Sequence, residues 1–347
     1  MKEQEEPILL ITGDEILTLF NGREKEIMEA VAGAALVHKH GDAELPHSSF
    51  VRFPVPGKER DRIIALPGYL GGQFNTAGIK WIASFPENVS QGIERASAVL
   101  ILNDMENGRP KAIMESSIIS ARRTAASAAM AGDILRAGLS VKRVGIIGCG
   151  PINFEVLRFL QVRQPSIENL VLYDLDIERS KQFAKKCLER KANLSIDYAK
   201  GYDDILSSSD ITVFCTTAGV PYLDDISACK KDSVILHVSL RDLTPEVILQ
   251  ADNIVDDPDH VLRANTSLHL LEQKIGNRDF IRGTLADILD GSQPPRVEGK
   301  IPIFSPFGMG LLDLALGELA LKLATQQKMG QKIHGFFPPS WLEREEA

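Results

Sequence analysis

Residues 143–160, RVGIIGCGPINFEVLRFL, constrain the fold more than any other stretch of the chain. Val144 to Ile147 is a short, unbroken apolar run, the pattern of a strand buried on both faces. Gly148-Cys149-Gly150 supplies a tight turn, and the remainder reads as a helix. A strand that feeds a glycine-rich turn and then a helix start presents backbone N–H groups and a positive dipole end to a diphosphate. Gly148, Gly150, Pro151 and Ile152 are therefore the candidate contacts to a dinucleotide. The third glycine of the pattern is replaced by Asn153. Glycine there mainly allows close helix–strand packing, so a modest side chain is expected to shift the helix slightly without abolishing binding.

Two further features support this reading. Asp174 ends the run NLVLYD, about two dozen residues past Gly150, near the spacing at which a carboxylate meets the adenosine ribose. There it accepts hydrogen bonds from the ribose diol and repels a 2′-phosphate, which selects NAD over NADP. The segment FCTTAGVPY follows a later strand and puts Thr216 and Thr217 where a parallel sheet presents its ligands. NLVLYD, ITVFCT, SVILHVS and DNIVDD alternate with helical or loop segments, the signature of βαβ units.

About 140 residues precede the glycine-rich turn, and their character differs. Thr12 and Glu15 form a capping box, and the spacing of Ile27, Ala30, Val31 and Ala34 predicts a second helix. SSFVRFPV, DRIIALPGYL, TAGIKWIASF, ASAVLILND and PKAIMESS then read as short strands of an antiparallel sheet, with a hairpin turn at Asn107-Gly108. SARRTAASAAMAGDILRAG is an alanine-rich helix leading into the turn. Past residue 300, IPIFSPFGMGLLDLALGELALKLATQQ predicts a strand or turn and a long helix. That helix is expected to pack on the first domain, which makes the domain discontinuous and explains why the glycine-rich turn comes so late.

A length of 347 residues suggests two domains, and a net charge of −8 argues against nucleic acid and anionic membranes as partners. Cys149, Cys187, Cys215 and Cys229 lack any C-x-x-C pairing and read as small buried thiols of a reducing compartment. The acidic N-terminus has no secretory pattern, and no run approaches the ~18 apolar residues of a membrane helix, so a soluble cytoplasmic protein is expected. The tail FFPPSWLEREEA is expected to be ordered by packing on a neighbour. His38, His40, His47, His237, His260, His269 and His334 show no metal-ligand spacing, so no metal is expected.

Taken in order, AGIKWI around Lys80, MESSIISARRTAASAA around Arg123-Thr124, GIIGCG, VSLRD around Asp242 and FSPFGMGLLDL resemble the ornithine cyclodeaminase/μ-crystallin family over most of the chain. DRIIALPGYLGG, GIKWIAS and ERASAVLILND are most similar to its SbnB-like branch, dehydrogenases that make 2,3-diaminopropionate for siderophores and peptide antibiotics. The resemblance implies an α/β fold: a Rossmann-type NAD domain over residues 123–311 and an α+β substrate-binding and dimerisation domain over 1–122, completed by 312–347. It implies a homodimer, with the active site in the cleft between domains. It also implies NAD-dependent oxidative hydrolysis of N-(1-amino-1-carboxyl-2-ethyl)-glutamate to 2,3-diaminopropionate and 2-oxoglutarate. Other activities of such chains are ornithine cyclodeamination, alanine dehydrogenation or ketimine reduction, and non-catalytic ligand storage.

Arg52, Lys80 and Arg123 match the family's substrate-binding cations, as suits carboxylate-rich amino acids, and Arg95 is a further candidate. Asp242 matches the catalytic aspartate, with Lys80 beside the reacting amine. Asp242 reads either as a general base or as a carboxylate stabilised at a helix start. Thr124 is assigned to the cofactor, and Met309 with its glycine neighbours is expected to shape the nicotinamide pocket. Glu115 reads as holding an active-site cation or bracing the fold, and Arg122 as a surface or interface charge.

Overall fold

A computed structural model describes residues 7–338 and 340–343. Residues 1–6, Pro339 and 344–347 lie outside the described residues, and with them part of the acidic N-terminus and of the C-terminal tail. The chain divides into two compact units. One comprises Met1–Arg23, His40–Ser120 and Gly310–Ala347; the other comprises Glu24–Lys39 and Ala121–Met309. The sequence pattern groups the helix Glu24–Lys39 with the first domain, whereas its contacts assign it to the second unit. Glu24 pairs with Arg158, His38 Nε2 lies 2.8 Å from Asp257, and Lys39 Nζ lies 2.9 Å from Asp287. These partners are distant in sequence, so helical periodicity carries no trace of them.

The first unit is built on an eight-stranded sheet. Its order is Gln331–Ile333, Ile8–Ile11, Pro110–Glu115, Ala96–Asn103, Thr76–Ser84, Arg62–Leu70 and Ala43–Glu44, with Ser49–Arg52 also pairing with Arg62–Leu70. Pairing is antiparallel except where Ile8–Ile11 runs parallel to Pro110–Glu115. The Asn107-Gly108 hairpin forms with a longer loop than two residues: Asn103 pairs with Pro110, and Gly108 supplies the left-handed conformation at φ 75°. The helix Gly310–Gln327 covers one sheet face. Leu311 and Leu314 meet Gly68, and Gly317 sits over Leu100 and Leu102. Strand alternation puts Trp81 and Val99 on the opposite face, 45% and 41% exposed.

The second unit holds an eight-stranded sheet whose pairings are all parallel. Its order is Ser195–Tyr198, Asn169–Tyr173, Arg143–Ile147, Ile211–Phe214, Val234–His237, Pro302–Ser305, Asp252–Val255 and Ile281–Thr284. The order reverses between Arg143–Ile147 and Ile211–Phe214, the switch point at which doubly wound sheets open a ligand crevice. Two strands carry no apolar run in the sequence, Ser195–Tyr198 and Ile281–Thr284. Both are sheet edges, where pairing on one side and partial exposure remove the need for one.

Candidate active site

The glycine-rich turn leaves the central strand at Gly148, with φ 88°, and Gly150 N-caps the helix Pro151–Arg163. A Cβ on Gly148 would lie 2.5 Å from the Cys215 carbonyl, so glycine is required by conformation and by the neighbouring backbone. A Cβ on Gly150 would meet only the Arg179 guanidinium within 4 Å, leaving an open cradle at the helix start where a diphosphate fits. Asn153 is fully buried, and its amide donates to the carbonyls of Ile147 (3.0 Å) and Gly148 (2.7 Å). The side chain thus braces the turn, which is more than the passive substitution its sequence position suggests. Asp174 Oδ2 accepts from the Cys149 amide at 2.7 Å and Oδ1 from the Asp176 amide at 3.0 Å. Those bonds fix the carboxylate beside the turn. Arg179 Nε lies 3.8 Å away.

Asp242 is fully buried in the same unit. Its Oδ1 accepts hydrogen bonds from Thr216 Oγ1 and from Tyr222 OH (2.9 Å), and its Oδ2 accepts from Ser239 Oγ. His237 Nε2 lies 3.2 Å from Oδ2 and 3.2 Å from the Asp242 backbone nitrogen, while Nδ1 lies 3.2 Å from Ser305 Oγ. A proton on Nε2 serves the carboxylate; a proton on Nδ1 serves Ser305. Burial pushes the Asp242 carboxyl up, but hydrogen bonds and charge from His237, with Ser239 and Thr216, outweigh it and hold it below the usual range. The carboxylate's acceptor sites are engaged by protein donors. This arrangement suits a group that organises a loop better than one that takes a proton directly from substrate. It also ties the Thr216 hydroxyl to Asp242, with the Ala218 amide donating to it at 3.1 Å. Thr217 is exposed at the carboxyl end of the sheet.

In the first unit Lys80 is 1% exposed, and its ammonium lies 2.7 Å from Asp313 Oδ2 and 3.2 Å from Ser120 Oγ. Arg52 is exposed and stands 5.3 Å over the Phe50 ring, and half-buried Arg95 donates to Ser84 Oγ at 2.7 Å. Glu115 accepts from the amides of Ser117 (2.6 Å) and Ile118 (3.2 Å), so it caps the start of the helix Ser117–Leu135 and braces the fold.

Arg123 belongs to the second unit and is 8% exposed. A Cβ on Gly308 would lie 2.6 Å from its Nη1, and Gly308 has φ 100°. The loop that carries Gly308 is held by Asp256, which accepts from the amides of Phe307 (2.9 Å) and Gly308 (2.6 Å). Met309 follows, buried, and Thr124 lies half-buried one residue past Arg123. Arg122 is 3% exposed with Glu155 at 3.7 Å; it is an interior ion-pair member, which corrects its reading as a surface or interface charge. Its neighbour in sequence gives no cue, because the helix turns adjacent residues by about 100° onto different faces.

The profile of the Ornithine cyclodeaminase/mu-crystallin family matches residues 21–321. The chain belongs to this family. Among curated relatives, the N-((2S)-2-amino-2-carboxyethyl)-L-glutamate dehydrogenase of Staphylococcus aureus is 31% identical over 313 residues, covering 88% of this chain and 92% of that one. The alanine dehydrogenase of Archaeoglobus fulgidus is 26% identical over 338 residues, covering 94% and 98%. Among solved structures, the Thermococcus litoralis Δ(1)-pyrroline-2-carboxylate reductase in complex with NADH and L-proline superposes with a TM-score of 0.84 at 24% identity, covering 94% of this chain and 100% of that one. The fold is therefore that of the ornithine cyclodeaminase/μ-crystallin family, an α/β chain with a Rossmann-type sheet.

Within this family member, residue-by-residue reading of the sequence misses Asp313, His237 and Asp256. Asp313 and His237 do leave a signal: each is a lone polar residue inside an apolar run, GLLDLAL and VILHV. A buried ionisable group needs a partner, and its position predicts one even when the partner is unknown. Asp256 acts through the backbone amides of Phe307 and Gly308, for which a single sequence carries no marker.

Proposed function

We propose that this protein oxidatively cleaves N-(1-amino-1-carboxyl-2-ethyl)-glutamate to 2,3-diaminopropionate and 2-oxoglutarate. It is an NAD-dependent oxidoreductase acting on a CH–NH group. The observation that carries the substrate assignment is the 31% identity over 88% of the chain to the Staphylococcus aureus dehydrogenase. The dinucleotide would be held by the open cradle at Gly150, the start of the helix Pro151–Arg163 and the Asp174 carboxylate, with Thr124, Ile152, Thr216, Thr217 and Met309 as further contacts. NAD⁺ held there would supply the hydride acceptor for oxidation at the glutamyl α-carbon.

The protein's own residues do the rest. Arg52, Lys80, Arg95 and Arg123 bind the substrate carboxylates, and Lys80 also places charge near the reacting nitrogen. Loss of hydride and of the N–H proton leaves a C=N bond, water adds to its carbon, and breakage of the C–N bond releases the primary amine and the keto acid. Substrate, NAD⁺ and one water give 2,3-diaminopropionate, 2-oxoglutarate, NADH and one proton. Asp242 contributes as a positioning residue: it holds Thr216, Tyr222 and Ser239, and any proton reaches it through one of those hydroxyls. Two copies associate through the sheet face that exposes Trp81, Val99 and Val51.

The test is direct. Purified protein is incubated with the proposed substrate and either NAD⁺ or NADP⁺, while absorbance and both products are followed. Reduction of NAD⁺ with stoichiometric 2-oxoglutarate is expected, and slower turnover with NADP⁺. A folded, NAD-bound sample that makes no NADH excludes the substrate, and equal turnover of both dinucleotides excludes the role given to Asp174.

A further inference from the structure

The glycine-rich turn has no cation of its own. Gly148 to Asn153 include no basic residue. The Cys149 thiol, pushed up to about 11 chiefly by burial, stays neutral near pH 7. A diphosphate carries a negative charge on each phosphate, whereas a helix start offers free N–H groups and only about half an elementary charge. A side-chain cation beside the turn would complete the neutralisation, and one borders the cradle. Chain neighbours aside, Arg179 Nη2 is the one atom among the described residues within 4 Å of the position that a Cβ on Gly150 would take, at 3.9 Å.

Another nitrogen of the same guanidinium faces Asp174. Arg179 Nε lies 3.8 Å from Asp174 Oδ2, the oxygen that accepts from the Cys149 amide at 2.7 Å. The turn thus holds the carboxylate, and the carboxylate draws the guanidinium to the turn. Helix stability does not explain a cation at this position. Arg179 is the third residue of the helix Ile177–Arg190, where the macrodipole disfavours positive charge. Asp176 already caps that helix, and Glu178 supplies the favourable charge in its first turn. The pair with Asp174 is long, and the arginine side chain is 40% exposed, so the pair itself is weak. A guanidinium has five donors in a planar fork, suited to a phosphate as well as to a carboxylate.

We propose that Arg179 binds the adenosine-side phosphate of the dinucleotide, with Asp174 orienting its guanidinium from the ribose side. The inference rests on the diphosphate cradle at Gly150 and is independent of the substrate assigned above. It adds to the cofactor contacts a residue on the second helix of the sheet, outside the glycine-rich turn. It also gives Asp174 a second task beside its part at the ribose, that of holding the phosphate-binding cation in place.

The experiment measures binding of NADH, NADPH, ADP and adenosine to the full chain by calorimetry, without substrate and without turnover. Arg179→Gln is expected to weaken NADH and ADP by about tenfold, the scale of one charge-assisted contact, and to leave adenosine within about twofold. Arg179→Lys, which keeps the charge and loses the fork, should lie between the two. Because the contact is ionic and partly exposed, ADP affinity should fall more steeply with added salt in wild type than in Arg179→Gln. Unchanged ADP binding in Arg179→Gln overturns the proposal, as does a wild type that binds no ADP. An equal loss for adenosine and ADP also overturns it, because Arg179 would then serve the nucleoside or the fold. A loss confined to NADPH does so too, because the guanidinium would then read a 2′-phosphate. None of these outcomes depends on the substrate: a protein that makes no NADH from the proposed substrate still supports the contact when ADP and adenosine part in this way.

Discussion

Removing either member of the Lys80–Asp313 pair should cost far more than removing both. The ammonium and carboxylate are 1% and 0% exposed and 2.7 Å apart. At an effective dielectric of ~20 their attraction at 2.7 Å is about 6 kcal/mol, against a desolvation penalty of several kcal/mol for each ion. The net value of the intact pair is therefore small. Asp313→Leu, however, leaves an ammonium buried with the Ser120 hydroxyl as one remaining ligand at 3.2 Å. Breaking a buried pair by removing one partner costs about 3–5 kcal/mol, so Asp313→Leu and Lys80→Met should each lose a similar amount. The double variant replaces both charges with apolar volume between the sheet and the helix Gly310–Gln327. It should recover most of the loss, a coupling of ~3 kcal/mol or more. Urea unfolding, followed by circular dichroism on all four proteins, measures each term. Singles that lose under ~1 kcal/mol, or a double variant as unstable as the sum of the singles, would show that the pair is not a buried, mutually compensating unit. The folded double variant should also be inactive with the proposed substrate, which separates Lys80's chemical role from its structural one.

Asp242 should give stability an acid limb. Its folded pKa is held below the ordinary value, so its contribution is fully present above the unfolded value of about 3.9 and is lost as pH falls through the folded pKa. Urea midpoints between pH 7 and pH 3 should fall less steeply for Asp242→Asn, which should already be ~1–3 kcal/mol less stable at neutral pH because its amide meets donors with donors; identical acid limbs would remove the carboxylate from this role. Trp81→Glu puts a charge on the exposed sheet face, 45% open at that residue, and should turn a dimer into a monomer by light scattering. A wild-type monomer at tens of micromolar, or an unchanged mass in the variant, contradicts association through that face.

The strand–turn–helix at 143–160 was legible because its features are local: an apolar run, glycines where the backbone needs them, and a helix that follows at once. Alternation did the same for the strands Arg62–Leu70, Thr76–Ser84 and Ala96–Asn103, whose length gives the period-2 pattern room to repeat. Candidate cations were legible as residue types. Their settings were not. Lys80 and Arg122 carry the same charge as any surface residue, and only packing shows that both are interior.

Local sequence determined the dinucleotide turn, the parallel sheet around it, the antiparallel sheet before it and the family to which the chain belongs. Tertiary structure alone decided that Asp313 lies beneath Lys80 and that Asp242 is enclosed by three hydroxyls and an imidazole. The reason is range. Secondary-structure signals act over a few residues and repeat, whereas each of these partnerships joins specific atoms through strand register or long-range packing, for which one sequence has no periodic trace.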